Sequence, residues 1–270
     1  MKKIIILSGS GELPNLITEK LKKDKIDFFV ISFLNNKPPK FIGQYNHKTI
    51  NYGKVITELK KLRLNGYSQI ILAGSLKRPV LSEIKPDLNS IKLIPKFSKT
   101  LFAGGDNNLL KFVLSELENI GFKILKLYNI LPDCFFGKGN QTGVKISKNI
   151  FKDIDKGKKI LSVNSKFDIG QSIILQNGTV IGIEASQGTD NLIKNSSNFI
   201  RAKKEAVLVK LLKVKQDLRA DLPAIGLQTL KNCKKSGLSG IAYSANRTIF
   251  INKDDVIDFC RKNRMFLYGI

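Results

Sequence analysis

The sequence predicts an α/β protein: a Rossmann-like, parallel-sheet N-terminal domain over residues 1–130 and a distinct mixed α+β C-terminal domain over residues 131–270. Three observations carry this prediction. The first half alternates short apolar runs that stop at glycine with segments of helical spacing, which places helices on both faces of a parallel sheet. From Leu131 to Gly143 the periodicity gives way to Pro132, Gly137, Gly139 and Gly143, the composition of a domain boundary. Beyond it, apolar runs read as hairpins at Asn177-Gly178 and Asn246-Arg247, a mixed α+β pattern unlike the first half.

The first half reads in order as follows. Lys3 to Leu7 is a continuous apolar run that stops at Gly9, as a buried parallel strand does. Leu13 to Lys23 is a helix with Leu13, Leu16, Ile17 and Leu21 on one face. Asp27 to Phe33 is a second strand, Val55 to Leu64 a second amphipathic helix, and Gln69 to Ala73 a third strand that stops at Gly74. Leu109 to Ile120 is a helix and Lys123 to Leu127 a fourth strand. Ligands of such sheets bind at the carboxyl ends of the strands.

In the second half, Ser147 to Val163 is helical. Ser172 to Glu184 is a hairpin turning at Asn177-Gly178. Thr189 to Ala202 is a helix with Thr189 or Asp190 as its cap, and Ala206 to Leu212 is a strand. Ile225 to Ser236 is helical. Ile241 to Ser244 and Thr248 to Ile251 form a second hairpin around Asn246-Arg247. Asp254 to Lys262 is a helix and Phe266 to Tyr268 a short strand.

Composition narrows the chemistry. Lys and Arg number 46 against 22 Asp and Glu, a net charge of +24. Such an excess calls for a polyanionic partner: a phosphorylated substrate, an anionic membrane surface or nucleic acid. The basic residues are spread along the chain without a dedicated tail, which argues against nucleic acid and for a basic site. Cys134, Cys233 and Cys260 are far apart and form no disulfide framework, as in a reducing compartment. His47 is the single histidine and reads as a surface or loop residue. One histidine builds neither a zinc site nor a Ser-His-Asp or Cys-His set, so any metal is oxygen-coordinated, Mg²⁺ or Mn²⁺. The apolar run after Met1 is shorter than the ~7–15 residues of a signal-peptide core, and no run approaches the ~20 of a membrane span. The sequence reads as cytoplasmic, with peripheral membrane contact at most.

The remaining inventory is carboxylates, basic side chains and glycine turns. Gly9-Ser10-Gly11-Glu12-Leu13-Pro14 joins the first strand to the first helix, where free N–H groups receive a phosphate or hydroxyl. Its third fingerprint glycine is missing and the second strand ends without Asp or Glu, which excludes a dinucleotide. Gly74 to Pro79 leaves the third strand and carries Arg78, a phosphate partner by position. Asp106 precedes a helix, as a cap or as a metal or ribose contact. Asp168-Ile169-Gly170-Gln171 enters the first hairpin, and Glu184 to Asp190 leaves it. Lys215 to Gly226 packs Asp217, Arg219 and Asp221 together, on one face if the backbone is extended. Two carboxylates beside a fixed cation suit Mg²⁺ near a phosphate, or a positioned water.

In this order the pieces Gly9–Pro14, Ala73–Pro79, Gly105–Leu110, Asp168–Gln171, Glu184–Asp190 and Gln216–Gly226 make the chain resemble, nearly end to end, the LpxI-type UDP-2,3-diacylglucosamine pyrophosphatase family. The resemblance implies a Rossmann-like N-terminal domain, a distinct C-terminal domain and substrate between them. It implies Mg²⁺-dependent hydrolysis of UDP-2,3-diacylglucosamine to 2,3-diacylglucosamine 1-phosphate (lipid X) and UMP in lipid A synthesis, by a homodimer. It makes the aspartate of Asp-Leu-Pro, here Asp221, essential for turnover. The chain departs from the family in carrying Ala224 for threonine, Asn107 for aspartate, and Ser8 and Ser10 in the first loop.

The two lines of reasoning agree on the class of mechanism. Asp221, Asp217 and Arg219 are the catalytic candidates. Gly9, Ser10, Gly11, Leu13, Pro14, Gly74, Arg78, Asp106, Gln171, Gln187, Gly188, Thr189 and Lys215 are the substrate-binding candidates. Asp221, Asp190 and Glu184 are the candidates for holding Mg²⁺. The expected partners are a lipid-linked nucleotide sugar, the surface of the inner membrane and a second copy of the chain, without nucleic acid. The alternatives are a non-catalytic nucleotide-sugar or lipid-binding module on the same fold, and a polyanion (nucleic-acid) binding protein suggested by the net charge of +24.

Overall fold

The computed structural model describes residues 3–34, 36, 45–76, 79–102, 106–201, 205–214 and 216–270, and of Leu81 and Asp106 the backbone alone. The chain forms two compact units, Met1–Pro132 with Asp217–Ala220, and Asp133–Gln216 with Asp221–Ile270.

The first unit contains β1 (Lys3–Ser8), α1 (Leu13–Lys23), β2 (Phe28–Phe33), β3 (His47–Ile50), α2 (Val55–Leu64), β4 (Tyr67–Ala73), α3 (Ile94–Phe102), α4 (Asp106–Asn119) and β5 (Lys123–Ile124). The sheet runs β3-β2-β1-β4-β5 and all its pairings are parallel. Strand order therefore reverses between β1 and β4, the place where open α/β sheets bind ligands. Ile5, Leu7, Ile31 and Ile70 pack on one face against Leu59 and Leu62 of α2 and Leu114 and Leu117 of α4. Helix α1 buries Pro14, Ile17, Thr18 and Leu21, the spacing that its apolar residues predict.

Two elements of this unit escape sequence reading. His47 lies in β3, an edge strand of His-Lys-Thr-Ile with no apolar run, rather than in a loop. Helix α3 carries Ile94, Phe97 and Leu101 at helical spacing but buries no residue fully; Phe97 meets Phe112 of α4 at 6.1 Å. The strand expected to reach Leu127 stops at Ile124, and Leu127–Asn129 is a 3₁₀ turn.

The second unit contains β6 (Gly139–Asn140), α5 (Lys148–Asn164), β7 (Ser172–Gln176), β8 (Thr179–Ile183), α6 (Gly188–Ser196), β9 (Ala206–Lys210), β10 (Ala224–Ile225), α7 (Leu227–Lys235), β11 (Leu238–Tyr243), β12 (Ile249–Phe250), α8 (Lys253–Lys262) and β13 (Phe266–Gly269). Its main sheet runs β6-β13-β11-β9-β7-β8, with β13, β11 and β9 parallel and the other pairings antiparallel. The first hairpin turns as its sequence predicts: Asn177 and Gly178 both take positive φ, 47° and 78°. Asp153 accepts the Gly178 N–H at 2.6 Å and holds the turn against α5.

Four expectations need correction here. The second hairpin does not form. Both edges of β11 are taken by the parallel strands β9 and β13, so β12 pairs with β10 in a separate two-stranded sheet. Helix α6 ends at Ser196 and gives way to a 3₁₀ turn over Ser197–Phe199, while Ala202 lies outside the described residues. Neither Thr189 nor Asp190 caps α6: Gln187 holds the cap position without a side-chain bond. The helix expected from Ile225 starts at Leu227, because Ala224 and Ile225 pair as strand β10.

Phe250 connects the small sheet to the core. Its ring meets Phe136 at 4.7 Å and Tyr243 at 4.8 Å, both edge-on, and all three are buried. Phe250→Ala is expected to cost about 3–5 kcal/mol. Urea unfolding should show a lowered midpoint with an unchanged slope; a midpoint within experimental error of the wild type would contradict this packing role.

Candidate functional site

In the first unit, the loops that leave β1 and β4 bind each other through backbone. Ser10 donates to the Ser75 carbonyl at 2.8 Å and Ser75 returns a bond to the Ser10 carbonyl at 3.0 Å. A Cβ on Gly9 would lie 2.4 Å from the Ser75 oxygen, and one on Gly74 (φ +83°) 2.4 Å from the Ser10 oxygen. Gly9 and Gly74 are thus required by this close approach. Gly11 is exposed, at φ +105°, with open space around it. Helix α1 follows with Pro14 in its first turn and no side-chain cap, so its N-terminus faces the switch point with its leading N–H groups uncapped. Leu13 is half-buried and Pro14 buried. Arg78 and Lys215 lie outside the described residues, and Asp106 is the first residue of α4.

The stretch Asp217 to Asp221 is not extended. Residues 218–220 form a turn, so the three charged side chains do not alternate onto one face. Asp217 Oδ1 accepts the Arg219 N–H at 2.9 Å, and the Arg219 fork grips the same carboxylate through Nε at 3.0 Å and Nη2 at 2.8 Å. Arg219 Nη1 also donates to Glu118 on α4. The hydrogen bonds from Arg219 hold the Asp217 carboxyl below its ordinary value of 3.8. Asp217 and Arg219 are therefore partners of each other before they are partners of any ligand. Asp221 is instead held by Gln216, whose Nε2 donates to Oδ2 and whose Oε1 accepts the Lys213 N–H at 2.8 Å. Gln216 is buried and orients the carboxylate of Asp221.

In the second unit, polar side chains collect where β9 ends and β7 begins. Lys210 is 6% exposed and donates to Thr189 Oγ1 at 2.8 Å. Thr189 Oγ1 donates to Glu184 Oε1 at 2.9 Å and lies 3.2 Å from Ser172 Oγ. A hydroxyl has one proton and two lone pairs, so these contacts use the whole capacity of Thr189. Glu184 Oε2 accepts the Gln171 N–H at 3.3 Å. Burial pushes the Lys210 ammonium below its ordinary value, against the pull of Glu184, Asp190 and Asp221. Asp190 Oδ1 and Gln171 Oε1 are buried without a hydrogen-bond partner among the described residues. Gln187 bonds within its own loop, to the Ala185 N–H and the Ile183 carbonyl, and Gly188 is open at φ +75°. Lys213 pairs with Asp168 at 2.8 Å.

The structure thus gathers Glu184, Thr189 and Asp190 around Lys210, with Asp221 within electrostatic reach. Lys210 is the residue that sequence reading missed. Its signal was present: a lysine closing the apolar run Ala-Val-Leu-Val, at the carboxyl end of a buried strand. Among the described residues no three His, Cys, Asp or Glu side chains stand close enough together to hold a metal by themselves.

Residues 3–134 match the LpxI N-terminal domain and residues 137–268 the LpxI C-terminal domain. The chain belongs to the LpxI family. The UDP-2,3-diacylglucosamine pyrophosphatase LpxI of Caulobacter vibrioides is 28% identical over 276 residues, spanning 100% of this chain and 98% of that relative. In this LpxI-family chain, the Asp-Leu-Pro sequence follows directly on the Asp217–Arg219 turn.

The Asp217 pair sets a pH dependence. A carboxylate with a depressed folded value stabilises the fold above its ordinary 3.8 and loses that contribution as pH falls through the lower folded value. Asp217→Asn is expected to cost about 1 kcal/mol at neutral pH, a modest figure because the pair is partly solvated. The difference from wild type should shrink as pH falls below 3.8 in urea unfolding. A pH-independent difference would contradict the assignment.

Proposed function

We propose that this protein hydrolyses the diphosphate of UDP-2,3-diacylglucosamine, giving 2,3-diacylglucosamine 1-phosphate and UMP in lipid A biosynthesis. The observation that carries this reading is the carboxylate of Asp221, fixed by the buried Gln216 near an acidic cluster. Family membership and the named activity of the Caulobacter relative support it. So does the basic chain, since the substrate is a polyanion.

In this reading a water oxygen bonds to one phosphorus as the P–O bond to the bridging oxygen breaks, and the bridging oxygen leaves with the other phosphate. The water proton passes to Asp221, which acts as base or orients the water. Thr189 supports Glu184 rather than the substrate.

Mg²⁺ belongs to the same proposal. Three carboxylates around one ammonium leave the cluster net negative, which a divalent cation offsets, and Asp190 offers a buried oxygen without a partner. Mg²⁺ is commonly held by one or two carboxylates plus substrate phosphates, which needs no three-carboxylate cage. Asp221 and Asp190 would hold it, whereas both oxygens of Glu184 already accept bonds. When bound, the ion neutralises diphosphate charge and acidifies a nearby water. A homodimer working in the cytoplasm at the anionic surface of the inner membrane completes the proposal, since the substrate carries two acyl chains.

Asp221→Ala is expected to lower UMP release from UDP-2,3-diacylglucosamine by ~10³-fold or more. Its circular dichroism and its affinity for the substrate should stay those of the wild type. Undiminished release by the folded variant would remove Asp221 from the reaction. EDTA should stop the wild-type reaction and added Mg²⁺ restore it; EDTA-insensitive release would remove the metal from the proposal.

A further inference from the structure

Lys210 carries more than a structural role requires. An ammonium has three N–H donors, and among the described residues Lys210 spends one, on Thr189. Two donors are left on a side chain only 6% exposed. Burying an ammonium with donors unmet is costly, and native structures rarely leave such groups without a partner. Glu184, the nearest candidate to neutralise it, spends its hydrogen bonds on Thr189 and the Gln171 amide. Lys210 reaches it only through the Thr189 hydroxyl.

The position of Lys210 fits a ligand. It closes β9, a central strand of the mixed sheet, with Ser172 of β7 opposite it on one side and Tyr243 of β11 on the other. Thr189, to which it donates, lies in the first turn of α6, where the leading N–H groups of the helix favour an anion. Gln171 Oε1 and Asp190 Oδ1, buried without a hydrogen-bond partner among the described residues, lie at the same end of the unit.

We propose that Lys210 is a further catalytic residue, whose two unspent N–H groups bind non-bridging oxygens of the substrate diphosphate. It stabilises the negative charge that grows there as the P–O bond breaks. The proposal rests on the hydrolase reading above and assigns a donor to the acidic end of the site, where a bare diphosphate would otherwise meet carboxylates alone. Lys210→Met is expected to reduce kcat for UMP release about 100-fold. Lys210→Arg, which keeps the charge but moves its donors, should lose about tenfold at an unchanged Tm. Binding provides the readout that a packing role would not move. In the Asp221→Ala background, adding Lys210→Met should weaken the affinity for UDP-2,3-diacylglucosamine about tenfold in the folded protein. A folded Lys210→Met variant with kcat and affinity within about threefold of its parent would overturn the proposal. Should Lys210→Met not fold, Lys210→Arg decides: full wild-type kcat overturns the proposal and a loss at unchanged Tm sustains it. Absence of UMP release from the wild type would instead defeat the hydrolase reading on which it rests.

Discussion

The second unit is arranged around a lysine largely withdrawn from water: Lys210 is 6% exposed. An ammonium at the end of a central strand is tolerated only where opposite charge and acceptors surround it. Here the hairpin β7–β8 delivers Glu184, the first turn of α6 delivers Thr189 and Asp190, and β7 delivers Ser172. Each comes from a separate stretch of sequence. The mixed sheet brings them together because β7 runs antiparallel to β9, which sets the start of one strand beside the end of the other. The same arrangement leaves donors of Lys210 and an oxygen of Asp190 without hydrogen bonds among the described residues.

The first unit solves a different problem with backbone instead of side chains. Its parallel order reverses between β1 and β4, and the two loops leaving those strands come so close that Gly9 and Gly74 admit no side chain. That mutual grip leaves Gly11 and the uncapped start of α1 open. Asp217, Arg219 and Glu118 then form an ion network on the same unit, with Ala220 packed into its core.

Much of this was legible in the sequence, for physical reasons that differ by element. Lys3–Ser8, Val55–Leu64 and the Asn177-Gly178 turn were readable because an apolar period or a positive-φ pair leaves few alternatives. The pairing of β12 was not, since whether Thr248–Ile251 folds back on β11 depends on β9 and β13 having claimed both edges. The site was readable by residue type but not by partnership. Asp217 and Arg219 read as free catalytic groups, and the structure binds them to each other through a turn. Thr189 read as a substrate contact, and its hydroxyl is fully spent on Lys210, Glu184 and Ser172. Lys210 itself was hidden among many lysines, because nothing local distinguishes a buried ammonium from a solvated one.

The central claim is that this fold cleaves a phosphoanhydride. Phosphorus-31 NMR of UDP-2,3-diacylglucosamine with the protein and Mg²⁺ tests it directly, since it follows the diphosphate itself. The account predicts that the coupled diphosphate signals decay while two uncoupled monophosphate signals grow in equal amounts. Diphosphate signals that persist unchanged beside the folded protein would contradict it.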